Sequence, residues 1–311
     1  MAQTKPITIL GVFVADTAYR ADRAPRMGET ILGNSFALGP GGKGSNQAVA
    51  VARLGADVHF ISKLGDDAFA DLAMSTWRNA GVKPDVTRDP GSYTGAAYIF
   101  IEESTGDNAI IVCPGAAMTI SAGDIEKNAE LIRTSSVFVT QLEQPIEAAR
   151  RALEIANDAG VATILNPAPA APLDDGIFAL CRYVTPNETE TSELTGLPVE
   201  TVDQARTAAD ALLARGAGAA VITLGENGAL FHDAERSEHV SAFNAGPVVE
   251  TTGAGDAFNG GFATALASGM DPVEATRFGC ATAAISVTRP GTAPSMPSLD
   301  EVNDLIADSS R

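Results

Sequence analysis

The sequence predicts an α/β protein: a mainly parallel sheet with helices on both faces, and a small second sheet outside those layers. Three patterns carry the expectation. From residue 121 onward short apolar runs alternate with helical stretches, the rhythm of strand–helix–strand units that build a parallel sheet. Residues 96–101 and 109–112 are apolar runs on either side of a polar turn containing Gly106, which makes a hairpin and not a crossover unit. Two glycine-rich turns, at 39–44 and 253–255, each lead into a helical pattern.

With 311 residues, 45% of them hydrophobic, the chain can bury a large core as one large domain or two. The 21 basic residues are outnumbered by 39 acidic ones, and a formal net charge of -18 argues against a nucleic-acid or anionic-membrane surface. Any phosphate site must therefore be local, built from backbone N–H groups and a few cations. Cys113, Cys181 and Cys280 are far apart, give no zinc spacing and suit a reducing compartment. The first residues lack a signal-peptide pattern and no apolar run is long enough to span a bilayer, so the cytoplasm is expected.

Residues 7–14 are a short apolar run, read as a buried strand with Asp16 at its end. Ligands gather at the carboxyl ends of strands in open α/β sheets, so Asp16 is either a hydroxyl-binding acid or an ordinary loop acid. Residues 17–41 show no helical period; 20–28 is loop-like and 31–38 reads as an exposed strand. Gly39-Pro40-Gly41-Gly42-Lys43-Gly44-Ser45-Asn46 then opens a helix over 47–54 closed by Gly55. Its glycines permit a hinge and close approach of a ligand, but a plain glycine-rich strand–helix loop has the same composition. This is not the P-loop, because Gly44 stands where Ser or Thr must follow the lysine. Lys43 and Asn46 offer donors on the first turn.

Residues 58–62 read as a strand and 66–80 as a helix closed by Gly81, with Trp77 on it for packing. The hairpin at 96–112 and the strand at 31–38 form the small sheet, either a lid over a ligand cleft or a dimer surface covering exposed edges. A helix spans 121–134. Strands at 137–141, 161–165, 183–185 and 220–224 then alternate with helices at 145–159, from 186 onward and at 201–215. Glu143 lies just past the first of these strands. Asn187 and Glu190 stand three apart on one helical face, as in a capping box, or with Glu190 near a metal-bound phosphate through water. Gly225-Glu226-Asn227-Gly228 is a hairpin turn into 229–232 that could also seat an adenine. Helices follow at 257–268 and 271–287, and 289–295 is either a connector or a carbonyl-rich holder of a monovalent cation. His59, His232 and His239 are isolated and are assigned no chemistry.

The densest chemistry lies in Glu250-Thr251-Thr252-Gly253-Ala254-Gly255-Asp256. Gly253, Ala254 and Gly255 read as a tight turn at a helix start, where backbone N–H groups converge and the helix dipole favours an anion, phosphate above all. A carboxylate meets repulsion there. Asp256 is thus suited to taking the proton of a hydroxyl that attacks a phosphoryl group, with a simple helix cap as the plainer reading.

With both glycine motifs in place, the chain resembles the ribokinase/pfkB family of carbohydrate kinases essentially end to end. Gly41-Gly42-Lys43-Gly44-Ser45-Asn46-Gln47-Ala48 is similar to the family's N-terminal signature, and Thr251-Thr252-Gly253-Ala254-Gly255-Asp256-Ala257-Phe258 to its C-terminal one. Between them Gln141-Leu142-Glu143, Asn166-Pro167-Ala168-Pro169, Thr185-Pro186-Asn187-Glu188-Thr189-Glu190 and Thr223-Leu224-Gly225 also resemble it. The resemblance implies a three-layer α/β/α kinase domain over 1–311 with lid strands from about 15–41 and 93–113, and ATP-dependent phosphorylation of the O5 hydroxyl of D-ribose. On it, Asp256 matches the catalytic base, and Gly253, Ala254 and Gly255 the anion hole. Asp16, Gly42, Lys43, Asn46 and Glu143 match positions that hold the sugar. Asn187, Thr223, Leu224, Gly225, Glu226, Asn227, Gly228, Gly255 and Cys280 match nucleotide contacts. Glu190 matches an acid that influences magnesium and phosphate binding. Glu250, Thr252, Ser286, Arg289, Gly291 and Ser295 match a potassium loop that acts largely through carbonyls. Magnesium with ATP, potassium as activator and a homodimer through the lid sheet follow from the same resemblance.

Two residues depart from the pattern. Val14 stands where ribokinases usually carry Asn, two residues before the sugar-binding acid, and it can form no side-chain hydrogen bond. A site built to bind a hydroxyl discriminates strongly, so this loss bears on which sugar fits, and a kinase for another pentose, ketose or nucleoside is the alternative. Glu250 stands where Asp is usual, and its extra methylene bears on potassium dependence. A dinucleotide-dependent oxidoreductase would need Gly-x-Gly-x-x-Gly after the first strand, where the chain has Gly11-Val12-Phe13-Val14-Ala15-Asp16. A catalytically silent sugar sensor would have no use for Asp256.

Overall fold

The computed structural model describes residues 5–309. Its strands are β1 (Ile7–Leu10), β2 (Val14–Ala21), β3 (Ser35–Gly41), β4 (Val58–Leu64), β5 (Lys83–Arg88), β6 (Thr94–Glu102), β7 (Asn108–Gly115), β8 (Val137–Thr140), β9 (Ala162–Leu165), β10 (Tyr183–Val184), β11 (Ala219–Thr223), β12 (Ala229–Asp233) and β13 (Ser237–Val240). Nine form one sheet in the order β13-β12-β11-β10-β9-β8-β1-β4-β5, parallel from β11 to β5 and antiparallel only at β12 and β13. The other four form the small sheet β3-β2-β6-β7. The expected α/β class with a separate small sheet is thus the observed one.

The large sheet is buried on both faces because its strands alternate between two cores. On β1, Ile7 and Ile9 pack with Phe60, Trp77 and Phe262, whereas Leu10 joins Phe138, Leu153 and Leu212 on the opposite side. Trp77 fills the first core against Phe13 and Phe60, at ring distances of 5.7 and 5.1 Å. Its indole N–H also donates to Ser45 Oγ at 2.9 Å, which pins the start of the helix Lys43–Arg53.

Helices Lys43–Arg53 and Ala254–Ala267 pack so closely that a Cβ on Gly260 would lie 2.4 Å from Ala50 Cβ. One turn back from that contact on each helix lie Asn46 and Asp256, which brings together residues 210 apart in sequence.

Several expectations are corrected. The apolar run 7–14 is not one strand. The main-sheet strand stops at Leu10, the Gly11 N–H still reaches Ile61 O at 3.1 Å, and the chain then leaves for the small sheet at Val14. Asp16 therefore lies inside β2 rather than at the end of a main-sheet strand. Continuous burial hides the switch, since both strands are apolar where they meet the core. The exposed strand expected at 31–38 begins only at Ser35, and the helix expected from Gln47 begins at Lys43. The helix expected over 121–134 breaks at Asn128, whose side-chain N–H takes Asp124 O at 3.1 Å, the carbonyl its own backbone N–H would need. β5, β13 and the helices Asp175–Phe178 and Leu299–Asp308 were not expected from the sequence, although Ser298 and Glu301 form a capping box at the start of the last. Among the described residues no helix is long and apolar enough to cross a membrane.

Candidate active site

The site is built at the start of Ala254–Ala267. Gly253 occupies the N-cap with φ 83°, a left-handed conformation that a side chain would strain, and Asp256 is not the cap. The Asp256 carboxylate makes no cap hydrogen bond and is buried. It accepts Asn46 Nδ2 at 2.9 Å and Gln47 Nε2 at 3.2 Å. The expected cradle of three N–H groups needs one correction: the Ala254 N–H donates to Thr251 O at 3.1 Å, closing the turn. Among the described residues the N–H groups of Gly255 and Asp256 meet no protein acceptor, and Gly255 faces open space.

These groups border a cleft of about 150 Å³ lined by Lys43, Asn166, Ala168, Thr185, Asn187, Glu190, Thr223, Gly253, Gly255, Asp256 and Asn259. Seven of the sequence candidates therefore meet there. The capping-box reading of Asn187 and Glu190 is the observed one. Each side chain accepts the other's backbone N–H, at 2.8 and 2.9 Å, and both residues line the cleft. Asn187 also bridges to Thr223, joining the helix start to the end of β11.

Glu143 serves the helix Lys43–Arg53 as its cap from a distance. The N-cap Gly42 has no side chain to offer, and Glu143 Oε2 accepts the Lys43 N–H at 2.7 Å. Asn46 Oδ1 is buried and has no hydrogen-bond partner among the described residues. Asp16 lies on β2, two residues from Val14 and therefore on the same face, with Gly41 opposite Val14.

Acidic groups crowd this region. Burial pushes Glu143 up to about 7, with Lys43 opposing and Asp256 and Asp16 adding repulsion. Burial, then Glu250, raises Asp16 to about 6. Asp256 and Glu190 are also raised, chiefly by burial, with Lys43 pulling both back. Lys43 is thus the cation at the centre of the site.

Other candidates lie outside the cleft wall. Leu224 is buried, and Gly225–Asn227 is a 3₁₀ turn leading to Gly228 and β12, so the hairpin reading of that turn is correct. Cys280 is buried on helix Pro272–Ser286, its thiol pushed up to about 12 by burial. In the loop expected to hold a cation, Glu250 Oε2 accepts the Gly291 N–H at 2.8 Å. The Ser286 and Ser295 hydroxyls donate to the carbonyls of Ala283 and Thr292, Arg289 pairs with Glu301, and Thr252 is exposed. Among the described residues no group of three or more His, Cys, Asp or Glu side chains could hold a metal ion.

Sequence reasoning assigned no role to Gln47, Gln141, Asn166, Thr185 or Asn259, which form the polar wall behind Asp256. Four of them lie inside motifs that had been noticed. Asn259, one helical turn after Asp256, had spacing alone as its signal.

Comparison with known proteins gives one answer. Residues 7–299 match the model of the pfkB family carbohydrate kinases. The chain is 37% identical over 303 residues to a deoxyribokinase of Salmonella typhi, covering 97% of this chain and 98% of that one. It is 39% identical over 308 residues to a ribokinase of Schizosaccharomyces pombe, covering 96% of each. The structure of Arabidopsis thaliana ribokinase complexed with ribose and ATP superposes with a TM-score of 0.93 at 32% identity, over 98% of this chain and 99% of that one.

Proposed function

The chain belongs to the pfkB family of carbohydrate kinases, and from that premise we propose that it transfers the γ-phosphoryl group of ATP to the O5 hydroxyl of D-ribose. The observation that carries the reading is the Asp256 carboxylate, buried in a cleft beside helix-start N–H groups that have no protein partner among the described residues. Asp256 takes the proton of the attacking hydroxyl. The N–H groups of Gly255 and Asp256, with Gly253 leaving room for the turn, stabilise the charge on the transferring group. Lys43 offsets the acids around it. Asp16, Gly42, Lys43, Asn46 and Glu143 hold the sugar. Asn187, Thr223 to Gly228 and Cys280 border the nucleotide.

Glu190, which lines the cleft, would reach through water a magnesium ion brought in with ATP. Such an ion would supply charge neutralisation along the phosphates. For potassium, the Glu250–Gly291 bond draws together the two segments whose carbonyls would hold it. The small sheet closes over the sugar and excludes water. It also carries a dimer contact through its apolar outer face. The whole unit works in a reducing compartment such as the cytoplasm, where its three free cysteines stay reduced.

Val14 supports a second reading, 2-deoxyribose as sugar, because a buried Val beside Asp16 offers no hydrogen bond whose loss would penalise a missing hydroxyl. The similarity to a deoxyribokinase runs the same way. A panel of pentoses, ketoses and nucleosides, assayed by coupled ADP release with and without potassium, decides between the substrates. Asp256→Asn should retain sugar and nucleotide binding and lose on the order of 10²–10⁴ in kcat. Near-normal turnover in that variant contradicts the assignment of the base.

A further inference from the structure

Resting on the kinase reading, we propose that Gln47 is a positioning residue that holds the Asp256 carboxylate in place, at the end of a one-way chain of buried side-chain amides. The chain's direction is over-determined. Asn166 Nδ2 donates to Thr185 O at 3.0 Å, which leaves Asn166 Oδ1 as an acceptor. Gln47 Nε2 donates to that oxygen at 3.1 Å and to Asp256 Oδ1 at 3.2 Å. The Gln47 oxygen then has only an accepting role, and Gln141 Nε2 fills it at 2.6 Å. Turning either Gln47 or Asn166 over would set donor against donor or acceptor against acceptor.

The far side of the chain returns to the same helix. Thr185 Oγ1 donates to Asn259 Oδ1 at 2.6 Å, and Asn259 Nδ2 donates to Gly255 O at 2.8 Å. Both the base and the turn before it are thus tied to the ends of β8, β9 and β10. Gln47, Gln141, Asn166, Thr185 and Asn259 are all buried, so water does not substitute for a lost partner without rearrangement.

The charges facing Asp256 make this support matter. Glu143 and Glu190 repel its ionised form, and burial disfavours it further. Lys43 and the two amide donors of Asn46 and Gln47 act the other way. Gln47 is one of three groups that favour the charged form of the base, and its side chain is also bonded to Asn166 and Gln141 at the ends of β9 and β8.

The test is Gln47→Leu, compared with wild type by pH–rate profiles and by the ¹³C carboxyl titration of Asp256. On the acid limb of the profile kcat should fall about tenfold, the value of one hydrogen bond to a charged group, and recover toward wild type as pH rises. KM for sugar and for ATP should stay within about threefold, because ground-state contacts are untouched. The Asp256 titration should move to higher pH. Gln141→Leu keeps both contacts to Asp256 and removes only the orienting donor; it should show the same changes at smaller size, and it serves if Gln47→Leu does not fold. A folded variant whose acid limb and carboxyl titration both coincide with wild type overturns the inference. Absence of ADP from the wild type with every sugar would instead sink the kinase reading, and the carboxyl titration would still judge Gln47.

Discussion

Asp16 stands directly in front of Gly41, so close that a Cβ on Gly41 would lie 2.2 Å from Asp16 Oδ2. That atom is the free end of a side chain, so Gly41→Ala is expected to leave the fold intact and push the carboxylate aside. Losing a charged hydrogen bond to the sugar should raise its KM by about 10- to 100-fold, with little change in KM for ATP. Steady-state kinetics in both substrates checks this, and equal rises in the two constants would argue against Asp16 as the sugar-binding acid. At this scale the sequence was informative wherever a role depends on near neighbours. Asn187 and Glu190 form their box because three residues on a helix start face each other whatever lies around them. It was uninformative about Ala254, whose N–H is taken by a turn that residue types alone do not specify.

The small sheet shows what alternation means at the scale of an element. Strand register places Leu38, Thr17, Tyr98 and Ile111 in one row across its four strands, with Phe36 and Tyr19 paired beside them on the same face. Tyr19 packs against Phe36 and Tyr98 at 5.1 and 5.5 Å, yet Phe36 remains 57% exposed and Ile111 63%. An apolar stripe of this kind on a sheet outside the main layers is suited to a second copy. The wild type is therefore expected to sediment as a dimer, and Ile111→Lys as a monomer with an unchanged circular dichroism spectrum. Sedimentation equilibrium measures it; the same mass for both proteins excludes this face as the contact. The hairpin half of the sheet was legible from its turn. β2 was not, because its apolar start reads on from β1 without a break in pattern.

Across the whole molecule, the acids divide into two sets with opposite effects on stability. Asp16 and Glu143 have folded-state values of about 6 and about 7, above their ordinary ones, chiefly through burial. The folded state then binds more protons than the unfolded chain, so their contribution is full at low pH and is lost as pH climbs from about 4 to 7. Asp124 and Glu301 are held down to about 2, by hydrogen bonds that outweigh burial in Asp124 and by the Arg289 hydrogen bond first in Glu301, and their contribution is lost as pH falls below about 4. The ligand-free protein should therefore reach its highest Tm near about pH 4–5. Sugar should move that maximum upward, since hydroxyls donating to Asp16 favour its ionised form. Calorimetry across pH tests both statements, and a Tm that climbs steadily from pH 5 to 8 without ligand contradicts the first.

By itself the sequence determined the alternation of strands and helices, the hairpin of the small sheet, and a glycine turn that starts a helix with Asp256 in its first turn. All of these follow from backbone preferences over a few residues. Only the tertiary structure decided what Asp256 touches. Its partner Gln47 lies 209 residues away, and the two meet because Gly260 lets one helix settle against Ala50 of the other. Local pattern specifies where a side chain sits on its own element, while the close packing of two elements specifies which side chains then face each other.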